Sequence, residues 1–258
     1  MDILEMIDEA KKLMKGKMLE LNEDKCTIVG DVHADIEAFE LLEEKIYGKA
    51  IFLGDYADRG DEPLEVYERI LKMFLEDKAV LLRGNHETED VYPHELPWQL
   101  SSYEDGEEIY RSLVDLWGRM PYSAILNGEI WLAHGGVPCR SDLSGISNPS
   151  EDLALEILWN DPWEREECGE NFRRGVMFFF GKKATRNLFE KLGVRLVVRA
   201  HEPHKVLRVE QNGMVITVGS CANPYGQANF AILCLDSGQK WYDGYDFAEK
   251  FGLELSLY

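Results

Sequence analysis

The apolar run Ala50-Ile51-Phe52-Leu53 stops at Gly54 and gives way to Asp55-Tyr56-Ala57-Asp58-Arg59-Gly60. Four apolar residues ended by a glycine read as a short buried strand. Two carboxylates and an arginine then crowd the strand end. A lone Asp-x-x-Asp-Arg is ordinarily a solvated loop. What constrains this chain is that the arrangement recurs. Cys26-Thr27-Ile28-Val29 runs into Gly30-Asp31-Val32-His33, and Ala79-Val80-Leu81-Leu82 into Arg83-Gly84-Asn85-His86-Glu87. Glu129-Ile130-Trp131-Leu132-Ala133 runs into His134-Gly135-Gly136, and Leu196-Val197-Val198 into Arg199-Ala200-His201.

Between the first three strands the pattern turns helical. Residues 35–47 have Asp35 as N-cap and Gly48 as stop, and residues 62–76 carry Pro63 early, where proline is tolerated. The order βαβαβ implies parallel strands with right-handed crossovers. Ile3, Met6, Ile7, Ala10, Leu13 and Met14 fall at helical spacing, which predicts an amphipathic helix over 3–18. Residues 88–106 are acidic and aromatic with two prolines, and read as an irregular loop at a site mouth. Helices are expected over 107–119, 151–159 and 182–192, with a surface loop over 138–150. Strands are expected over 206–210, 214–219 and 229–235. No repeat or linker divides the chain, so one domain over 1–258 is expected, with residues 1–25 as an N-terminal helical extension.

In open α/β sheets, ligands sit outside the carboxyl ends of the strands. Five strand ends here offer Asp31 and His33, Asp55, Asn85, His134, and His201. Four of the six histidines lie in these strand-end segments, counting His86; His94 and His204 do not, and read as surface residues. Carboxylate, imidazole and amide oxygen without thiolate suit Mn, Fe or Zn at a reactive site. Calcium prefers oxygen alone, and structural zinc prefers sulfur. For a single such residue, a satisfied core group is the commoner explanation, so the weight lies in their repetition at one edge.

Charge narrows the partners. The 258 residues carry a net charge of -20, which argues against a nucleic-acid partner. An anionic substrate must then be drawn by local positive charge. The five cysteines are scattered without a C-x-x-C pair, the usage of a reducing, cytoplasmic setting. Asp2, Glu5, Asp8 and Glu9 are unlike a signal peptide, and no apolar run reaches the roughly 20 residues of a membrane span, so no membrane association is expected.

The blocks around Asp31, Asp55, Asn85 and His134 resemble the signatures of metallophosphoesterases, and the fuller resemblance is to the PPP family of serine/threonine protein phosphatases. Leu158-Trp159-Asn160-Asp161-Pro162, Arg174-Gly175-Val176 and Arg199-Ala200-His201-Glu202 are similar to that family's later blocks and follow in order. The resemblance spans about residues 26–235 and implies a two-sheet α/β sandwich flanked by helices, with a dinuclear metal site at the C-terminal strand edge. It assigns Asp31, His33 and Asp55 to one divalent metal and Asp55, Asn85, His134 and His201 to the other, with manganese the expected ion in vitro and iron or zinc as alternatives. A metal-bridging hydroxide attacks phosphorus. Arg59 and Arg174 hold phosphate oxygens with Asn85 and Tyr225 beside them, His86 protonates the leaving oxygen, and Asp58 orients His86. The implied substrate is a phosphoprotein or phosphopeptide, with basic residues near the phosphosite favoured by the acidic 88–106 loop.

The chain also departs from the family. Ala34 stands where members usually have glycine; at positive φ, alanine costs about 1 kcal/mol. Cys221-Ala222-Asn223-Pro224-Tyr225 replaces Ser-Ala-Pro-Asn-Tyr, and after Glu87 the eukaryotic pattern is lost, so regulatory subunits are not implied. Three rivals remain. Cys168 and Arg174 have the C-x5-R spacing of a cysteine phosphatase, but Glu166, Glu167 and Glu170 should raise the thiol pKa. A dinucleoside polyphosphate hydrolase would use the same metals. A non-catalytic scaffold would be expected to have lost a ligand or His86.

Overall fold

A computed structural model describes residues 1–172 and 177–258. The chain begins with α1 (Ile3–Leu13), β1 (Met18–Leu21), β2 (Lys25–Val29), α2 (Ile36–Glu43), β3 (Lys49–Phe52), α3 (Pro63–Leu75) and β4 (Ala79–Leu81). It continues through α4 (Leu96–Leu100), α5 (Gly106–Trp117), β5 (Ser123–Leu126), β6 (Ile130–Ala133), α6 (Glu151–Trp159), β7 (Asp161–Pro162), β8 (Gly169–Asn171) and β9 (Met177–Phe180). The last stretch holds α7 (Lys182–Leu192), β10 (Leu196–Arg199), β11 (Leu207–Glu210), β12 (Val215–Val218), β13 (Asn229–Asp236), α8 (Gly244–Phe251) and β14 (Gly252–Ser256).

These strands make two main sheets, ordered β1-β5-β6-β10-β12-β11 and β14-β13-β2-β3-β4, and a small third sheet, β7-β9-β8. The expected βαβαβ unit is β2-α2-β3-α3-β4, with β2, β3 and β4 parallel. The pair β6 and β10 is parallel in the other sheet. At the site edge the sheets meet, where Asp31 forms an isolated bridge with Gly219 just beyond β12.

Each central strand is buried on both faces, which is why it reads as a continuous apolar run. Between the sheets, Ile28, Ile51, Leu132, Val198, Ile216 and Leu233 interlock in one core. The alternate residues Val29 and Phe52 face outward and pack against Phe39, Val66, Ile70 and Leu113 of the helices covering that side. On the opposite outer face Trp131, Val197 and Val215 pack on Ile157 and Leu188 of α6 and α7. The result is a sandwich with helices outside, the architecture expected from the sequence.

Three local expectations are corrected. The N-terminal helix ends at Leu13, capped at its start by an Asp2–Glu5 capping box, and Met18–Leu21 is strand β1, parallel to β5. Four residues at a sheet edge are too few to show an alternation; β5, between β1 and β6, is equally short, and its one signal is the Asn127-Gly128 turn into β6. The helix from Asp35 stops at Glu43, short of 47. The acidic loop contains the short helix α4, which starts one residue before Pro97.

Two buried charges fix the backbone around the site. Glu156 of α6 accepts from the amides of Cys139, Arg140 and Ser141 and from Asn160 Nδ2, so it ties the segment after β6 to α6. Arg199, fully buried at the end of β10, donates to the carbonyls of Gly135 and Asn160 and pairs with Asp161 at 3.0 Å and Glu202 at 2.8 Å. It thereby joins the His134, Asn160–Asp161 and His201 segments.

Burial opposes ionisation of Glu156, but the Cys139 amide and its other donors hold the carboxyl below its usual range. A lowered folded pKa stabilises the fold above the unfolded value, and that contribution is lost as pH falls through the folded value. Glu156→Gln is expected to cost about 1–3 kcal/mol in denaturant unfolding at pH 7. The penalty should shrink as pH is lowered below about 4, and a penalty constant from pH 7 to 3 would contradict this role.

Candidate active site

The strand ends turn through left-handed backbone. His33, Ala34, Asp55, Asp58, Arg59 and His201 have φ of +46°, +53°, +57°, +60°, +71° and +68°. Non-glycine residues rarely hold such values, and they cluster where surrounding contacts over-determine them. Ala34 is at the position where glycine was expected, and it bears the strain. Gly54, at φ +110°, by contrast cannot carry a side chain, because its Cβ would lie 2.3 Å from the Gly84 amide nitrogen. This close approach brings the β3 and β4 ends together.

Glu87 locks that contact. Its carboxylate accepts from Gly84 N at 2.7 Å, Asp55 N at 2.8 Å and Tyr56 N at 3.1 Å. Asp55 in turn accepts at its carbonyl from Val32 N and His33 N, and at Oδ1 from His86 N at 2.9 Å. Its Oδ2 lies 3.4 Å from His33 Nε2 and 3.3 Å from His134 Nε2. Two compact donor sets therefore share Asp55: His33, Asp55 and His86, and Asp55, His134 and His201.

The other expected ligands lie in the same pocket. Asn85 Oδ1 is 2.7 Å and His201 Nδ1 3.1 Å from His134 Nε2. Asp31 Oδ1 lies 3.7 Å from His134 Nδ1 and accepts from His201 N. Among the described residues Asp31 Oδ2 is buried with no hydrogen-bond partner, a costly state for a carboxylate oxygen unless a cation satisfies it. The imidazoles are set up to donate lone pairs. His33 Nδ1 faces the Ala57 carbonyl at 3.0 Å and His134 Nδ1 faces the Leu53 carbonyl at 3.1 Å. A carbonyl only accepts, so each Nδ1 carries the proton and each Nε2 turns a lone pair inward.

Electrostatics agree with that donor set. Burial pushes the Asp31 carboxyl up to about 6, with the Asp55 charge adding to it, although His134 pulls the other way. Burial pushes Glu87 up to about 7, again helped by Asp55. Burial also draws His33 down to about 4, although Asp55 opposes this. Asp55 itself is held well below the carboxylate range, because the imidazoles of His134, His86 and His33 outweigh its burial. Converging lone pairs and negative charge in a dry pocket are the surroundings that divalent cations satisfy. These residues fit two cations.

His86 lies beside this cluster, and its Nδ1 is 2.7 Å from Asp58 Oδ2. Its ring meets that of His33 edge-on at 4.9 Å. Arg59 is half-buried, with its amide bonded to Glu95. Tyr225 Oη lies 3.1 Å from His33 Nε2, so the transposed Asn-Pro still delivers the tyrosine to the metal cluster. Asp35 makes this possible. Besides capping α2, it accepts from the amides of Ala222 and Asn223. Arg174 lies outside the described residues.

Two expectations are overturned. His94 is no surface residue: its side chain is 11 % exposed and its Nδ1 lies 3.1 Å from Asp58 Oδ2. No spacing or neighbouring motif could have placed it, because it arrives on an irregular loop. His204 is exposed as expected. The Cys168 thiol is not raised but drawn down to about 7, by its hydrogen bond with the Cys139 thiol and by the Gly181 amide, against burial. It also donates to the Cys139 carbonyl at 3.4 Å and leads into strand β8. A phosphate-cradling cysteine loop needs a helix N-terminus after it, whereas the described residues Gly169–Asn171 after Cys168 are strand.

A two-sheet sandwich with a shared-carboxylate histidine cluster at the strand ends is the class of protein defined here. Residues 25–205 match the calcineurin-like phosphoesterase family, and the chain belongs to that family. A Caenorhabditis elegans protein named as a serine/threonine-protein phosphatase is 31% identical over 233 residues, covering 81% of this chain and 62% of its own. The serine/threonine-protein phosphatase 4 catalytic subunit of Saccharomyces cerevisiae is 31% identical over 191 residues, covering 68% of this chain and 62% of its own. The chain thus spans about three fifths of the length of these curated relatives. Among solved structures, a Saccharomyces cerevisiae protein serine/threonine phosphatase described as similar to human phosphatase PP5 superposes with a TM-score of 0.84 at 22% identity. That match covers 98% of this chain and 88% of the other, and it shows the shared fold.

Because Asp55 belongs to both donor sets, Asp55→Asn should weaken binding of both manganese ions, and His33→Asn of one. Metal content after equilibrium dialysis, near two per chain for the parent, checks this. Two tight ions retained by Asp55→Asn would remove the shared carboxylate from the account.

Proposed function

We propose that this chain hydrolyses phosphoserine and phosphothreonine esters of proteins with the help of two divalent cations. The observation that carries the reading is the His86–Asp58 pair, at 2.7 Å, set against the Asp55-centred donor cluster. Asp31, His33 and Asp55 would hold one cation, and Asp55, Asn85, His134 and His201 the other. When bound, the cations supply positive charge for the phosphoryl oxygens and lower the pKa of water. Manganese is the ion proposed for assays, with iron or zinc as alternatives.

The protein's own groups do the rest. Burial disfavours protonated His86, but the charge of Asp55 and the hydrogen bond to Asp58 outweigh it and raise its pKa. Asp58 accepts from Nδ1, so Nε2 is left to carry a proton to the leaving alkoxide. Arg59 binds phosphate oxygens with its planar fork, and Arg174 and Tyr225 complete that role. Among the relatives, those named as serine/threonine phosphatases favour a protein monoester. A fold likeness to a protein described as a diadenosine tetraphosphatase, with a TM-score of 0.55 at 14% identity, carries no substrate. The acidic stretch around Glu89, Asp90, Glu95, Glu104 and Asp105 is proposed to favour Lys or Arg beside the phosphosite. The scattered thiols favour a cytoplasmic setting.

His86→Asn is expected to lower kcat on a phosphoserine peptide by about 10²–10⁴-fold, the usual worth of a general acid. Metal content should stay near that of the parent. The loss should shrink for p-nitrophenyl phosphate, whose leaving group needs no proton. An equal loss on both substrates would take His86 out of this role. A kcat/KM favouring diadenosine tetraphosphate over the peptide by tenfold or more would move the substrate class to dinucleoside polyphosphates.

A further inference from the structure

Asp58 is hydrogen-bonded on every side. Oδ1 accepts from Glu95 N at 2.7 Å and Leu96 N at 2.8 Å. Oδ2 accepts from two imidazoles, His86 Nδ1 at 2.7 Å and His94 Nδ1 at 3.1 Å. The second imidazole comes from the irregular loop after Glu87, outside the strand-end blocks.

His94 is itself built into place. Its Nε2 lies 2.9 Å from Tyr110 Oη, and its ring packs against Tyr110 and Trp117 of α5 with centroids at 5.7 and 6.3 Å. Trp117 is anchored in turn by Nε1 donating to Tyr67 Oη. A carboxylate only accepts, so His94 Nδ1 carries a proton, which leaves Nε2 to bond the Tyr110 hydroxyl. Tyr110 stays protonated to make that bond: burial and the charges of Glu89 and Asp58 push its pKa up to about 12. Burial works against an ionised Asp58, yet the hydrogen bonds from His86 and His94 hold it well below the carboxylate range. The His94 ring therefore has one orientation in which both its nitrogens are satisfied.

We propose that His94 is a positioning residue for the leaving-group step: with Tyr110 behind it, His94 pins Asp58 Oδ2 so that His86 keeps its Nδ1–H on Asp58 and its Nε2 toward the departing oxygen. This rests on the general-acid role of His86 given above. With His94 removed, Oδ2 is held from one side only and the carboxylate can turn about its Cβ–Cγ bond. The His86 ring loses its fixed aim, while the metal ligands, which do not touch His94, keep theirs.

The test compares a phosphoserine peptide with p-nitrophenyl phosphate for the manganese-loaded parent, His94→Leu, His94→Asn and Tyr110→Phe. One hydrogen bond to a charged group corresponds to about ten- to hundred-fold in rate. His94→Leu should lose that much kcat on the peptide and less than about threefold on the aryl ester, with KM and metal content unchanged. His94→Asn, whose amide can reach the same oxygen, should recover most of the loss. Equal losses on the two substrates, or none on the peptide, overturn the proposal. If thermal melting shows His94→Leu unfolded, Tyr110→Phe decides: a loss confined to the peptide supports the role, and parental rates on both substrates overturn it. The parent and His86→Asn separate the two readings. If His86→Asn shows the leaving-group dependence and the folded His94 variants do not, only the positioning role falls. If His86→Asn shows none, the role of His86 falls and takes this one with it.

Discussion

Asp55 ties together four segments of the site. Its amide is held by Glu87, its carbonyl orders the Val32–His33 turn, Oδ1 takes the His86 amide, and Oδ2 faces the Nε2 atoms of His33 and His134. It holds these contacts only because its backbone turns through φ +57° directly after Gly54. Such a turn costs about 1–3 kcal/mol for a non-glycine residue, and it persists because Glu87 closes three amides around it. The two sheets supply the rest. Parallel β2, β3 and β4 bring Asp31, Asp55 and Asn85 to one edge, while parallel β6 and β10 bring His134 and His201 to it from the other sheet.

Much of this was legible in the sequence because the site is built at strand ends. A strand buried on both faces shows as an unbroken apolar run, and a polar residue after its terminal glycine has a defined place. Asp31, Asp55 and Asn85 satisfy that rule, His33 stands two residues beyond Asp31, and His134 and His201 follow Ala133 and Ala200 at their strand ends; all six converge. The helices of 151–159 and 182–192 were readable from their caps and spacing. The short strands β1 and β5 were not, because four residues are too few to show an alternation, although Asn127-Gly128 does mark the turn from β5 into β6.

His94 failed for a different reason. A histidine on an irregular loop has no periodicity, and its importance comes from a carboxylate 36 residues earlier in the chain. Cys168 shows the converse error. Nearby glutamates suggested a raised thiol pKa, but a specific contact with Cys139 outweighs diffuse charge that water screens. In both cases the deciding partner is distant in sequence, and local reading has no access to it.

The Asp58–His94–Tyr110 arrangement also separates two layers of the site. The metal donors stand at strand ends, while the groups proposed to aim His86 come from an irregular loop and α5. The metal layer depends on one central claim, that a single carboxylate joins two cations. Electron paramagnetic resonance of the protein loaded with manganese tests it directly. The account predicts the exchange-coupled spectrum of a bridged pair, collapsing to an uncoupled signal when Asp55 is replaced by Asn. A simple uncoupled six-line signal from the fully loaded parent would contradict it.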